Sequence, residues 1–139
     1  MTYPDNIQDM IDDFQFLDDW EDRYMHVIDM GKSLPELTYE EKNETNKVRG
    51  CASQVWLISE KTGDRFTFRG DSDAHIVKGL VAIVIEIFSN RIASEILSLD
   101  AKTILEQLGL SEHLSTQRAN GLASMICLLY TSPSPRDRG

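Results

Sequence analysis

The sequence is poor in cysteine, with only Cys51 and Cys127 among 139 residues. Two thiols are too few for a disulfide framework, and no Cys-x-x-Cys motif is present. The histidines show no metal-ligand spacing with each other or with the cysteines, which argues against a zinc or iron site on this chain. The expected location is therefore a reducing cytoplasm.

Basic residues are also scarce, since 14 lysines and arginines face 23 aspartates and glutamates, for a formal net charge of -9. This balance argues against a nucleic-acid partner, because phosphate backbones are bound by clusters of Lys and Arg. The acidic residues before Arg23 are typical of a solvated helix face, and they would also allow docking of a basic protein surface.

Long apolar runs and a targeting segment are both lacking. The N-terminal residues MTYPDNIQDM have neither the basic nor the apolar region of a secretion signal. The most apolar run, Gly79–Phe88, is shorter than the roughly 20 residues that a membrane span needs. We therefore expect no association with a membrane and interpret this run as part of a core helix.

What is present fits a single domain rich in helices. Apolar residues at helical spacing predict helices from Pro4, from Asp18 or Asp19 to Gly31, after Ser72, over Ser94–Leu97 and Ala101–Leu108, and from about Ser115. In the third of these helices, Ser72 is the predicted N-cap and Asp73 lies in the first turn. Gly79 in its interior predicts a close backbone approach by a neighbouring element.

An antiparallel hairpin is predicted between the second and third helices. Val55–Ser59 has the pattern of a strand, Lys61–Asp64 that of a turn, and Phe66–Phe68 that of the returning strand. A third strand near Asn46–Val48 would complete a small sheet.

The last residues differ in character from the rest of the chain. Residues 127–139 contain serine-spaced prolines and two arginines, and they offer no periodic apolar face. We predict one domain over residues 1–126, followed by a disordered, non-native tail over residues 127–139.

The run KVRGCASQVW, residues 47–56, carries the candidate reactive group. Gly50 and Ser53 leave the sulfur of Cys51 with little steric cover, while Arg49 and backbone N–H groups can favour its thiolate. A thiol with a pKa of about 8.5 is only about 3% thiolate at pH 7, and a pKa of about 7 would raise that fraction to about half. Cys127 is interpreted as a small apolar residue without a chemical role.

Other chemistry stays open at this point. A cysteine hydrolase would need a histidine within hydrogen-bond reach of Cys51, and the sequence identifies no histidine as that base. Asp71 and Asp73 are better explained as residues at a helix start than as a catalytic acid and base.

Several segments resemble the SufE family of sulfur-acceptor proteins. They are DDWEDRY around Trp20, the pair Leu34 and Pro35, VRGCASQVWL around Cys51, and the later segments GDSDAHIVKGL and HLSTQRANGL. The resemblance runs in order from about residue 18 to residue 126.

The resemblance implies an α+β fold, with a small three-stranded antiparallel sheet packed against several helices as in the IscU-like scaffold of iron-sulfur assembly. It also implies that Cys51 takes persulfide sulfur from a cysteine desulfurase, stimulates that enzyme, and relays the sulfur to an iron-sulfur scaffold complex. The chain would then have no independent turnover and no cofactor of its own, because the pyridoxal phosphate (PLP) stays on the desulfurase.

Further residues are expected to support or dock the cysteine segment. These are Arg49, Gly50, Ser53 and Asp73, to which the resemblance adds Arg118. A monomer or a weak homodimer is expected. The alternative of an iron-sulfur scaffold would need several thiolate or histidine ligands around one site, and the sequence offers Cys51 no ligand partner.

Overall fold

The structure, a computed structural model, describes residues 4–48, 54–110 and 114–131, without the side chains of residues 116–118 and 131. Within these ranges the helices are α1 (Asp5–Phe16), α2 (Trp20–Lys32), α3 (His75–Phe88), α4 (Ala93–Ser98), α5 (Ala101–Leu108) and α6 (Thr116–Thr131). The strands are β1 (Val55–Thr62), β2 (Arg65–Ser72) and β3 (Arg91–Ile92). The predicted α+β class, with helices and a three-stranded antiparallel sheet, is confirmed.

The sheet has the strand order β1-β2-β3. β1 and β2 form the predicted hairpin, which closes where Thr62 pairs with Arg65 around Gly63 at φ 64°. The third strand is β3 and not the predicted Asn46–Val48, which contributes one bridge between Lys47 and Trp56.

Hydrogen bonds at the two edges of the sheet explain why β3, and not Asn46–Val48, is the third strand. The side chain of Asn43 accepts a hydrogen bond from the backbone N–H of Asn46 at 2.9 Å, which keeps the chain curled until just before the bridge. At the other edge, the Nε of Arg91 donates to the carbonyl of Ile87 at 2.6 Å and fixes the start of β3. Before the undescribed residues 49–53, only Lys47 and Val48 therefore remain to pair beside β1, which gives one bridge in place of a strand.

The core is built around α3, which packs against β2, α2, α6 and α1. Most of its residues are buried, as the sequence predicts for an almost wholly apolar helix: Ile76, Val77, Gly79, Leu80, Val81, Ala82, Ile83, Val84, Ile87 and Phe88. Gly79 lies against the backbone of Val27 on α2, and a Cβ added there would overlap the carbonyl oxygen of Val27. The predicted close backbone approach is confirmed.

The start of α3 is a correction to the prediction. The helix begins at His75, so Ser72 is not its N-cap and Asp73 is not in its first turn. Ser72 instead ends β2, where it pairs with Val55, and its hydroxyl donates to the carbonyl of Gln54 at 2.8 Å. Pairing with β1 therefore keeps Ser72 in β2, so that it does not act as the N-cap of α3.

Both ends of α5 are capped by residues next to it in the sequence. The Asp100 side chain accepts a hydrogen bond from the backbone N–H of Thr103 at 3.2 Å, and Gly109 ends the helix at φ 77°. Leu110 is fully buried directly after this turn. The pattern is a helix start satisfied by a side chain and a helix end that uses the left-handed conformation of glycine.

The last helix extends past the predicted domain boundary at residue 126 and continues to Thr131. Leu129 is buried, and the ring of Tyr130 packs edge-on against Phe88 with centroids 5.3 Å apart. The Tyr130 hydroxyl donates to the carbonyl of Leu99 and accepts from the N–H of Ala101 at 3.2 Å. These contacts give residues 127–131 a face to bury, while residues 132–139 lie outside the described ranges and their non-native origin stays a prediction.

Truncation tests this packing. A chain cut after Ile126 loses Leu129 and Tyr130, and we expect its free energy of unfolding to fall by about 3 kcal/mol, the usual cost of removing a large buried side chain. A chain cut after Thr131 keeps both side chains and should lie within about 0.5 kcal/mol of the full chain. Urea unfolding followed by circular dichroism measures both, and equal stabilities of the two cut chains would refute the packing role.

Candidate functional site

The predicted site residues fall mostly outside the described part of the chain. Cys51 and its neighbours Arg49, Gly50 and Ser53 belong to residues 49–53, which the structure does not describe. Arg118 lies on α6, but its side chain is not described either. Their roles stay predictions, and the structure describes the frame that holds the two ends of this segment.

Backbone pairing fixes both ends of the segment. The N–H of Val48 donates to the carbonyl of Val55 at 2.8 Å, and the N–H of Leu57 donates to the carbonyl of Asn46 at 2.9 Å. Val48 and Val55 are buried. Residues 49–53 therefore connect two points on the edge of the sheet that are held together by hydrogen bonds and by apolar packing.

Asp73 is the predicted supporting residue that the structure does describe. One oxygen of its carboxylate accepts a hydrogen bond from the N–H of Gln54 at 3.1 Å, and its own N–H donates to the carbonyl of Gln54 at 3.3 Å. Gln54 directly follows the undescribed segment. Through this contact Asp73 can support the segment. It does so from the link between β2 and α3 and not from a helix.

Asp71 belongs to this frame and not to a helix start, which corrects its interpretation from the sequence. Its carboxylate is almost completely buried and accepts hydrogen bonds from the backbone N–H groups of Leu37, at 3.2 Å, and Ser72, at 2.8 Å. It also lies 3.3 Å from the Nζ atoms of both Lys42 and Lys78. One buried carboxylate thus joins β2, α3 and the chain between α2 and β1.

Burial on its own would raise the pKa of Asp71, because a low-dielectric environment disfavours the charged form. The hydrogen bonds from Ser72 and Leu37 and the ammonium group of Lys78 outweigh burial, so the pKa lies below its ordinary value. The carboxylate is therefore ionised at neutral pH and stabilises the fold as an anion.

A second ionic cluster holds residues 38–42, the turn that precedes the undescribed residues 49–53. Arg69 donates to both carboxylate oxygens of Glu41, at 2.6 and 3.3 Å, and its Nε lies 3.4 Å from Glu60. The hydrogen bonds from Arg69 lower the pKa of Glu41 to about 2. Next to it, the Nζ of Lys42 lies 5.6 Å from the ring centroid of Trp56, a cation–π contact with β1.

Replacing Asp71 tests the buried cluster. We expect Asp71→Asn to lower the free energy of unfolding by about 3 kcal/mol at neutral pH, because it removes the buried anion of Lys42 and Lys78 and leaves Lys78 only the exposed carboxylate of Glu36. Since the folded pKa is depressed, the stabilisation is present above the ordinary carboxyl range and is lost as the pH falls through the folded pKa. The stability gap between wild type and variant should therefore shrink in acid.

Urea unfolding at neutral pH and at successively lower pH measures this gap. The control is Glu36→Gln, which removes an exposed carboxylate 3.9 Å from Lys78 and should change stability by less than about 1 kcal/mol. A gap between wild type and Asp71→Asn that is constant with pH would show that the carboxylate charge is not what stabilises the fold.

Two of the three histidines that a cysteine hydrolase could use as a base lie in the described ranges. His75 is exposed at the start of α3, His26 packs edge-on against Phe14 with centroids 4.9 Å apart, and His113 lies outside the described ranges.

Among the described residues, no group of three or more His, Cys, Asp and Glu side chains could hold a metal ion. Cys127, interpreted from the sequence as a small apolar residue, is exposed on α6.

The structure also bears on the expectation about membranes. Over residues 4–48, 54–110 and 114–131, no helix combines the length and the apolar character needed to cross a bilayer.

Known proteins resemble this chain in sequence and in fold. The family model SufE, described as the Fe-S metabolism associated domain, matches residues 8–132. A SufE-like protein of Rhizobium meliloti (strain 1021) is 58% identical over 125 residues, covering 87% of this chain and 89% of the relative. A SufE-like protein of Rhizobium etli is 57% identical over 125 residues, covering 87% of this chain and 84% of the relative.

A solved structure agrees at the level of the fold. The solution structure of a hypothetical protein from Thermus thermophilus superposes with a TM-score of 0.78, at 16% identity, over 99% of this chain and 100% of that one. Together with the match over most of its length, these findings show that the chain belongs to the SufE family, the Fe-S metabolism associated domain.

Proposed function

We propose that this chain is a sulfur acceptor that stimulates a PLP-dependent cysteine desulfurase, with Cys51 as the residue that carries the sulfur. The observation that supports this most is the combination of family membership with the position of Cys51 in the chain. Cys51 lies between Val48 and Val55, whose backbones are hydrogen-bonded at 2.8 Å, on a connection at the edge of the sheet. A reactive group on a short connection between fixed ends can be presented to a partner protein.

The proposed reaction is a thiol exchange at a sulfane sulfur. The Cys51 thiolate attacks the outer sulfur of a persulfide on the desulfurase cysteine, forming a new S–S bond. The S–S bond of the donor breaks, and the donor cysteine leaves as a thiolate that can take up the proton that Cys51 gave up. Electrons balance without an external oxidant or reductant, because one persulfide is exchanged for another.

The residues around Cys51 have supporting roles in this proposal. Arg49 favours the thiolate by its positive charge, and Gly50 and Ser53 leave the sulfur accessible. Asp73 holds the backbone directly after the segment through Gln54, and Arg118 contributes to docking. The PLP belongs to the desulfurase, where it supplies the cleavage of the carbon–sulfur bond of free cysteine.

The second half of the cycle delivers the sulfur. A persulfide on Cys51 would pass its outer sulfur to a scaffold complex of iron-sulfur assembly in the cytoplasm, again by thiol exchange. The chain therefore acts as a carrier between two proteins and needs no turnover of its own on a free small molecule.

The test is the rate at which the desulfurase of the same host releases alanine from cysteine, with and without this protein. We expect the rate to rise with added protein and to reach a plateau when all the desulfurase is bound. A rate that stays at the level of the desulfurase alone, at protein concentrations well above that of the enzyme, would reject the activator role.

A further inference from the structure

Tyr39 is the most exposed of the large apolar side chains in the described ranges, at 93% of its full accessible surface. The ring therefore adds almost nothing to the core, since burial is what makes an aromatic side chain stabilising. Such rings are enriched at the centres of protein–protein interfaces, where one face is covered and the hydroxyl can find a partner.

The backbone that carries Tyr39 is held in place. In the Tyr39 turn, residues 38–42, the N–H of Thr38 donates to the carboxylate of Glu41 at 3.0 Å, and the N–H of Glu41 donates to the Thr38 hydroxyl at 3.2 Å. Arg69 on β2 binds the same carboxylate at 2.6 Å. Lys42 closes the turn with its ion pair to the buried Asp71 at 3.3 Å.

This bracing matters for binding. A side chain on a fixed backbone loses little conformational freedom when a partner covers it, so more of the contact energy appears as affinity. The Tyr39 turn thus displays an aromatic ring in water on a rigid base, at no gain to the fold.

The turn also contacts the part of β1 that holds the end of the segment containing Cys51. Lys42 lies over the ring of Trp56, and Trp56 forms the bridge with Lys47. Lys47 precedes the undescribed segment that contains Cys51 by two residues. A protein large enough to reach that segment would be positioned to contact the turn.

Charge indicates what kind of surface the turn fits. The exposed Glu40 directly follows Tyr39, and the exposed Glu36 precedes it by three residues, with its carboxylate 3.9 Å from the Nζ of Lys78. A chain with a net charge of -9 and an exposed carboxylate next to an exposed ring is complementary to an apolar pocket bordered by lysine or arginine. We propose that Tyr39 is an interface anchor that inserts into such a pocket on the sulfur-donating desulfurase. This inference rests on the function proposed above.

The experiment measures binding and stimulation separately, with the PLP-loaded desulfurase of the same host as the probe. We expect Tyr39→Ala to weaken binding at least about tenfold, as truncation of an aromatic hot spot does. The concentration giving half-maximal stimulation should rise by the same factor, while the plateau rate stays unchanged. Tyr39→Phe, which keeps the ring, should bind within about threefold of wild type.

Phe16→Ala is the matched control, because Phe16 is also an exposed ring, at 85%, but belongs to α1, which packs on α5 and α3. It should bind like wild type, and thermal unfolding of both alanine variants should match wild type as well. Lowering the salt concentration should strengthen binding of wild type more than that of Glu40→Gln.

The outcomes separate this inference from the proposed function. If wild type neither binds nor stimulates the desulfurase, the proposed function is rejected and the anchor with it. If wild type stimulates and Tyr39→Ala has the same half-maximal concentration, the anchor is rejected and the function stands. An equal loss of binding in Tyr39→Ala and Phe16→Ala, or a lower plateau with unchanged binding, would also overturn the anchor.

Discussion

Gly79→Ala is expected to lower the free energy of unfolding by about 3 kcal/mol or more, at the upper end of the usual cost of overpacking. The added Cβ would overlap the carbonyl oxygen of Val27 and lie 2.6 Å from its Cγ1 atom. The α2 backbone cannot change rotamer as a flexible side chain can, so α2 and α3 must move apart. The better helix propensity of alanine returns only about 1 kcal/mol.

Urea unfolding by circular dichroism measures this cost, and Gly63→Ala is the control. Gly63 lies in the hairpin turn with nothing within 4 Å of an added Cβ, so only its φ of +64° opposes the substitution. That strain costs about 1 kcal/mol for an L-residue. If Gly79→Ala is as stable as Gly63→Ala, the two helices do not meet as closely as described.

Cys51→Ser is expected to reduce desulfurase stimulation to the rate of the desulfurase alone. A serine hydroxyl has nearly the size of the thiol but forms no anion at neutral pH, so it can neither attack a persulfide nor carry the sulfur. Cys127→Ser removes the other thiol, which is exposed on α6, and should stimulate like wild type.

Alanine release measures both variants under the same conditions. Binding of Cys51→Ser to the desulfurase should persist, because the substitution changes one atom and leaves the docking surface intact. Full stimulation by Cys51→Ser, or its loss in Cys127→Ser alone, would assign the chemistry to a different residue.

The parts of the fold that the sequence predicts correctly are fixed by local patterns. In α1, the buried residues recur at helical spacing, so the periodicity alone identifies the helix: Ile7, Met10, Ile11 and Phe14. The ends of α5 follow from Asp100 and Gly109, which act on their immediate neighbours. The hairpin of β1 and β2 is likewise set by one turn.

Contacts between distant residues decide the parts that differ. β3 has two residues, too few for any pattern, and exists because Phe66 pairs with Arg91. The end of α6 is helical where Tyr130 meets Phe88 and the carbonyl of Leu99. No window of sequence contains both members of these pairs, so a local pattern cannot predict them.

The candidate site divides in the same way. The sequence predicts Cys51 from its small and basic neighbours and from the family resemblance, and this stays a prediction because the residue lies outside the described ranges. The sequence interpretation of Asp71 as a helix-start residue is wrong. Its buried carboxylate lies 3.3 Å from both Lys42 and Lys78, one of which precedes it in the sequence and one of which follows it.

The central claim, that Cys51 carries sulfur between proteins, is tested most directly by intact mass. The protein is incubated with the desulfurase of its host and cysteine, separated from small thiols, and weighed. We predict that wild type and Cys127→Ser gain the mass of sulfur, that a thiol reductant removes it, and that Cys51→Ser gains none. Equal gains on wild type and Cys51→Ser would contradict the account.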